Sequence, residues 1–208
     1  MFGTENLPLF IVSGVLLNMT PGQDTFYIVG RTVAQGRRAG VLSVLGITSG
    51  CVVHTLAAAF GLSAILATSA SAFLAVKFAG AAYLVYLGVR MLFAVSARDV
   101  PSSELRAEAS WPIFRAGFLT NVLNPKVALF FMAFLPQFVD PSAPSKLAAF
   151  LFLGAVFMFN GTLWCLMLVW FASAVSRRFR AHERAGAMVN RAAGVLFVGL
   201  GVKLAFTK

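Results

Sequence analysis

Apolar residues fall into six long stretches, at about 6–30, 40–67, 72–94, 113–138, 147–174 and 188–206. Each is long enough to cross a bilayer as a helix, which takes roughly 20 apolar residues. The runs are continuous rather than alternating, which excludes a closed β-barrel. The pattern predicts an all-α membrane protein, with six transmembrane helices forming one integral membrane domain over residues 1–208. Polar residues collect between the stretches and at one point inside the first and the fourth.

Composition agrees with lipid as the solvent. Of 208 residues, 59% are hydrophobic and only 12% charged, with 21 Phe; a soluble domain carries about a quarter charged residues. The net charge of +10 lies between apolar blocks rather than on one polar face, so it reads as a topology signal and not as a nucleic-acid surface. Arg31, Arg37, Arg38, Arg98, Arg106, Arg115, Arg177, Arg178, Arg180, Arg184 and Arg191 fall on one side of the predicted membrane. Lys77, Lys146, Lys203 and Lys208 fall on the other. Positive loops stay cytoplasmic, so both termini are expected outside. The fifth loop, rich in Arg, is expected to meet lipid headgroups. The N-terminus has no basic leader region or small-residue cleavage site and reads as a retained first span. Cys51 and Cys165 stand apart, with no CxxC and no zinc spacing, so no metal site, cofactor or redox chemistry is expected.

The two halves of the chain echo each other. LGVRMLF at 87–93 recurs as LGVKLAF at 200–206, Thr20-Pro21 matches Asn124-Pro125, and Gly50 matches Gly154. Repeat 1 covers about 1–95 and repeat 2 about 112–208. Three spans per half force the second copy to insert upside down, giving two inverted three-helix repeats. Chance similarity among apolar segments is the competing explanation, and the preserved order of the matches argues against it.

The polar points inside stretches one and four carry the candidate chemistry. Asn18-Met19-Thr20-Pro21-Gly22-Gln23-Asp24 interrupts the first, since proline cannot continue a helix and the residue before it resists helical geometry. Thr20 is expected as N-cap of a second half-helix, with Pro21 at N1 and Gln23 closing a capping box. Asn121-Val122-Leu123-Asn124-Pro125-Lys126 repeats the device, with Asn124 as N-cap and Pro125 at N1. Helices 1 and 4 are therefore predicted to be broken near the midplane, and free half-helix N-termini favour anions. The plainer alternative is a pair of proline kinks that only shape the bundle. Asp24 is the sole acid deep in an apolar stretch and Lys126 the deepest base. A charge there needs a partner or a wet cavity. The pseudo-twofold is expected to bring the two near each other, either as a structural ion pair or as a zwitterion site, Asp24 taking an ammonium and Lys126 a carboxylate. The expected substrate-binding residues are Asn18, Thr20, Pro21, Gly22, Gln23, Asp24, Asn121, Asn124, Pro125 and Lys126. Asp24 and His54 are candidates for carrying a proton, a hydrogen-bonded structural histidine being the alternative for His54. Gly46 to Gly50 is a small-xxx-small face for close helix packing.

Together these residues resemble the LysE/RhtB family of amino-acid exporters. The resemblance spans nearly the whole chain. It rests on Thr20-Pro21-Gly22-Gln23-Asp24-Thr25, followed by Gly36, Ala39-Gly40, Gly46 and Gly50. It rests also on Gly80-Ala81-Ala82-Tyr83-Leu84-Val85-Tyr86-Leu87-Gly88 and on Gly117 through Lys126, running into Phe130-Phe131 and Phe134-Leu135-Pro136-Gln137-Phe138. Gln23 departs from the proline common there. The resemblance implies a multi-pass protein of the bacterial inner membrane that exports amino acids or close derivatives, driven by the proton gradient, with small amino acids, protons and lipid as partners. Homo-oligomerisation is left open. No catalytic motif supports an enzyme. A membrane-embedded redox enzyme would want a close cysteine pair. A cation or metal exporter of related fold would want more intramembrane carboxylates or sulfur ligands. A scaffold would leave Asp24 and Lys126 without purpose.

Overall fold

Proline and glycine divide the chain as the pattern predicts, but not at every predicted residue. The computed structural model describes residues 2–62, 109–140 and 142–175, with isolated positions within 71–93 and 191–206. The third and sixth stretches, the 87–93 and 200–206 motif pair, Lys77, Tyr83 and loop 177–187 lie wholly or mostly outside the described residues. The first stretch is two helices, α1 (Leu7–Met19) and α2 (Gln23–Gln35). The second is α3 (Arg37–Leu56), which runs on as a π-helix over Ala57–Leu62. The fourth is α4 (Ser110–Val122) and α5 (Pro125–Phe134), closing in a 3₁₀ turn over Leu135–Phe138. The fifth is one helix, α6 (Lys146–Val175). Among the described residues two helices, Arg37–Leu62 and Lys146–Ala172, are long and apolar enough to cross a membrane. The pair Ser110–Val122 and Pro125–Phe138 passes the same test together, bent by 46°, and as one broken span would be a third. At 13 residues, α1 rises about 20 Å and falls short of a hydrocarbon core of about 30 Å.

The half-helices stack in two layers. In one layer α1 lies beside α5, with Phe10 against Phe134 and Phe138 at ring-centroid distances of 6.1 and 5.3 Å. A strap completes this layer: Glu5 N–H donates to Phe138 O at 2.8 Å, and Asp140 N–H donates to Gly3 O at 2.9 Å. The Asp140 carboxylate beyond it accepts from the Ser142 hydroxyl and backbone N–H, which hold it below the usual carboxylate range. In the other layer α2 lies beside α4, where the Tyr27 hydroxyl donates to Ile113 O at 2.7 Å. The buried apolar side chains divide likewise. A large Phe-rich cluster includes Phe10, Phe130, Phe134 and Phe157, and a smaller one holds Ile28, Val44, Ile47 and Val169.

The long helices α3 and α6 pass through both layers, antiparallel. Gly154 seats on Thr55, Thr162 meets Thr48, and Val169 meets Gly40, so partner numbers on α6 rise as those on α3 fall. Close backbone approach holds the rest. A Cβ at Gly46 would strike Phe114 O, one at Gly50 would lie 2.8 Å from Phe118 O, and one at Gly117 2.8 Å from Ser43 O. The small-residue face of α3 therefore packs on α4, as its spacing implies. Outward faces are apolar: Phe159 and Trp170 on α6 are 71% and 63% exposed. Water would not tolerate so broad an apolar surface, whereas lipid requires it.

Gly46→Leu should leave little folded protein, since several carbons must enter a space closed by backbone and overpacking costs about 1–3 kcal/mol. Gly61→Ala meets nothing within 4 Å and should leave the melting temperature of detergent-extracted protein unchanged or raised. Equal melting temperatures for the two variants would overturn the packing assignment.

Candidate functional site

The two breaks are built differently, although their sequences match. At the second, the Asn124 side chain accepts from Lys126 N–H at 3.0 Å and Pro125 occupies the first helical position, as expected. At the first, Thr20 is not the N-cap. It ends α1, its N–H bonding Leu16 O and Leu17 O and its hydroxyl turning back to Leu16 O at 2.9 Å. Gly22 precedes α2, and no side chain caps that helix. The capping box expected from Thr20 and Gln23 is therefore absent. A threonine hydroxyl back-bonds readily within its own helix, and here it does so before proline breaks the chain. The first N–H groups of α2 keep no intrahelical acceptor.

Each break leaves carbonyls at the end of the preceding helix, and distant side chains satisfy them. The Lys126 ammonium donates to Leu17 O at 2.7 Å and Thr20 O at 2.9 Å, capping α1 from the other half of the chain. Its side chain passes beside Gly22, where a Cβ would lie 3.8 Å from Nζ. At the other break, His54 Nε2 lies 3.0 Å from Asn121 O. A carbonyl only accepts, so Nε2 carries the proton and His54 caps α4 as Lys126 caps α1. The His54 ring also sits 6.0 Å from that of Phe131.

Asp24 and Lys126 line one cavity but do not pair. Asn121 Nδ2 donates to Asp24 Oδ2 at 2.9 Å, and Asp24 Oδ1 has no hydrogen-bond partner among the described residues. The cation is held by carbonyls instead. Asp24 thus belongs to the α2–α4 layer and Lys126 to the α1–α5 layer, with the cavity between them. Its volume is about 60 Å³.

Seven of the ten expected binding residues line this cavity: Asn18, Thr20, Gly22, Asp24, Asn121, Asn124 and Lys126. Pro21, Gln23 and Pro125 shape the breaks without lining it, and His54 stands behind Asn121. Asn18 Nδ2 and Asn121 Oδ1, like Asp24 Oδ1, are buried without a partner. So, among the described residues, those lining the cavity carry two unmatched acceptors, one unmatched donor and the third N–H of an ammonium. Sequence reasoning missed the facing wall from α3 and α6, which includes Ile47, Thr48, Cys51, Phe157, Met158, Thr162 and Cys165. The only signal for it was a Thr-x-x-Cys spacing at 48–51 and again at 162–165.

Lys126→Met should cost about 1–3 kcal/mol of stability by taking the ammonium from Thr20 O and Leu17 O, of which Leu17 O keeps the Thr20 N–H. Asn124→Ala should cost about 1 kcal/mol through its lost cap, whereas Gln23→Ala should cost close to nothing. Denaturant or thermal unfolding in detergent measures all three. A Gln23→Ala loss equal to that of Asn124→Ala would restore the capping box at the first break.

Comparison with known proteins gives a consistent answer. The family model described as LysE type translocator matches residues 15–208. The chain is 29% identical over 204 residues to a leucine efflux protein of Klebsiella pneumoniae subsp. pneumoniae, covering 98% of this chain and 96% of that one. It is 30% identical over 207 residues to the membrane protein YrhP of Bacillus subtilis, covering 96% and 98%. It is 31% identical over 208 residues to the membrane protein PA4757 of Pseudomonas aeruginosa, covering 98% and 96%. No solved structure matches it. The resemblance drawn from the motifs is thus met along the length of the sequence, and the chain belongs to the LysE type translocator family.

Proposed function

We propose that this protein is a secondary transporter that exports neutral amino acids across the bacterial inner membrane in exchange for protons. The observation that carries the proposal is one cavity holding an unpartnered carboxylate oxygen, Asp24 Oδ1, and an ammonium, Lys126 Nζ, each anchored in a different layer. A zwitterion matches that division. Its ammonium takes Asp24 Oδ1 and Asn121 Oδ1. Its carboxylate takes Asn18 Nδ2, the spare N–H of Lys126 and the open N-terminus of α2, where the helix dipole favours negative charge. Among the described residues Asp24 is the only carboxylate lining the cavity, so a basic side chain would find no second acid among them. An uncharged side chain fits, in keeping with the leucine efflux named for the relatives.

Coupling follows from competition for one atom. A proton and a substrate ammonium both need Asp24 Oδ1, so each displaces the other, and exchange across the membrane is the outcome. Asn121 links Asp24 to His54, its side chain bonding the carboxylate and its carbonyl accepting from the imidazole. In this scheme Asp24 carries the proton, and His54 fixes the residue that orients it. The full architecture proposed is six spans in two inverted repeats, with the α1–α5 layer and both termini extracytoplasmic.

Asp24→Asn should abolish export while the protein reaches the membrane in normal amount. The measurement is intracellular amino-acid accumulation after dipeptide feeding, with and without the variant. Normal export by Asp24→Asn would sink the proposal. For orientation, Ser142→Cys should react with an impermeant maleimide in intact cells and Ser110→Cys only after permeabilisation. The reverse pattern would invert the topology.

A further inference from the structure

The broken helices supply the unmatched polar groups of the cavity, while the wall contributed by α3 and α6 has no charge. On that wall Thr48 Oγ1 and Thr162 Oγ1 lie 2.9 Å apart, one hydroxyl donating to the other. Cys51 and Cys165, the chain's two cysteines, line the same cavity, each three residues beyond its threonine. Because α3 and α6 are antiparallel, the cysteines leave the threonine bridge in opposite directions, about 4.5 Å along the helix axis each way. Their neighbours agree: Cys51 joins the large Phe-rich cluster, and Cys165 packs against the smaller one. A separation of about 9 Å along the axes exceeds what a disulfide spans, and both thiols are free. The result is a two-sided wall, with a closed hydroxyl bridge at its centre and one thiol on each flank.

Resting on the zwitterion site proposed above, we infer that Cys51 and Cys165 set the size limit of the transported side chain. A substrate whose ammonium and carboxylate are fixed at the helix breaks directs its side chain away from them, onto this wall. The threonine bridge offers it no charge, and at most the one O–H that their mutual bond does not use. The two thiols bound the space on either side of the bridge, so their bulk decides which side chains fit. A thiol is small and polarizable, which leaves room that a branched residue would fill.

The test compares export of alanine, leucine and phenylalanine, each fed as a dipeptide, in cells carrying the wild type or one of four variants. Cys51→Leu and Cys165→Leu should each lower leucine export relative to alanine export by about tenfold or more, the scale on which one methylene is discriminated in an apolar pocket. Cys51→Ala and Cys165→Ala should shift the ratio the other way, raising phenylalanine relative to leucine severalfold. Membrane abundance and melting temperature are followed for each, so that a folding loss registers as an equal fall for all three substrates. An equal fall, or ratios unchanged in all four variants while the wild type exports, would overturn the inference and leave the zwitterion site standing. A wild type that exports none of the three would overturn the amino-acid reading itself.

Discussion

A broken helix in lipid must have its severed backbone ends satisfied from within the protein, and that constraint organises this structure. Hydrocarbon offers no hydrogen bonds, so irregular backbone at membrane depth survives only where side chains or a wet cavity meet it. Lys126 performs this for α1 and His54 for α4. Each comes from an element distant in sequence from the end it caps, and Lys126 reaches across the two halves of the chain. Breaking the helices therefore ties the halves together, and the same ties place a cation and an amide at the level of the cavity.

Local rules explain why the two breaks diverge. Asn124 is a short amide with few competing local bonds, so it caps α5 through Lys126 N–H. Thr20 can satisfy its hydroxyl on Leu16 O, four residues back, and does so. Its role at the helix start passes to Gly22, which has no side chain to offer. The first break is thereby left with an open N-terminus beside Asp24, while the second is closed. Asymmetry of this kind follows from the residue change alone, within an otherwise repeated device.

Much of the architecture was legible in the sequence. Proline positions gave both breaks, and continuous apolar runs gave α3 and α6 nearly to their ends. The glycine face from Gly46 to Gly50 gave the packing of α3 on α4. Burial cost singled out Asp24 and Lys126, and both line the cavity. What sequence could not supply was the partner of each. The expected pseudo-symmetry would place the two charges at one level, but an ammonium has three donors, and two carbonyls at the end of a short helix compete for it against one carboxylate. Spacing also could not reveal that Thr48 and Cys51 share a cavity with Thr162 and Cys165, because that depends on the antiparallel register of two helices far apart in the chain.

Keeping Asp24 and Lys126 apart also has a consequence for the proposed exchange. A directly bonded pair would neutralise itself, and a substrate would have to break that bond, at several kcal/mol for a buried pair, before it could enter. Here Lys126 is held by the carbonyls of α1 and Asp24 by a single amide hydrogen bond, which leaves one carboxylate oxygen open. The anchoring of each charge inside its own layer keeps the cavity polar while it is empty. A zwitterion is then the natural bridge between the layers, because it carries both complementary charges on adjacent groups. A proton satisfies only the Asp24 side. In the proposed exchange the two occupants would leave the layers in different electrostatic relation, one joined across the cavity and one not, and that difference is what such a mechanism needs in order to tell its loaded state from its return state.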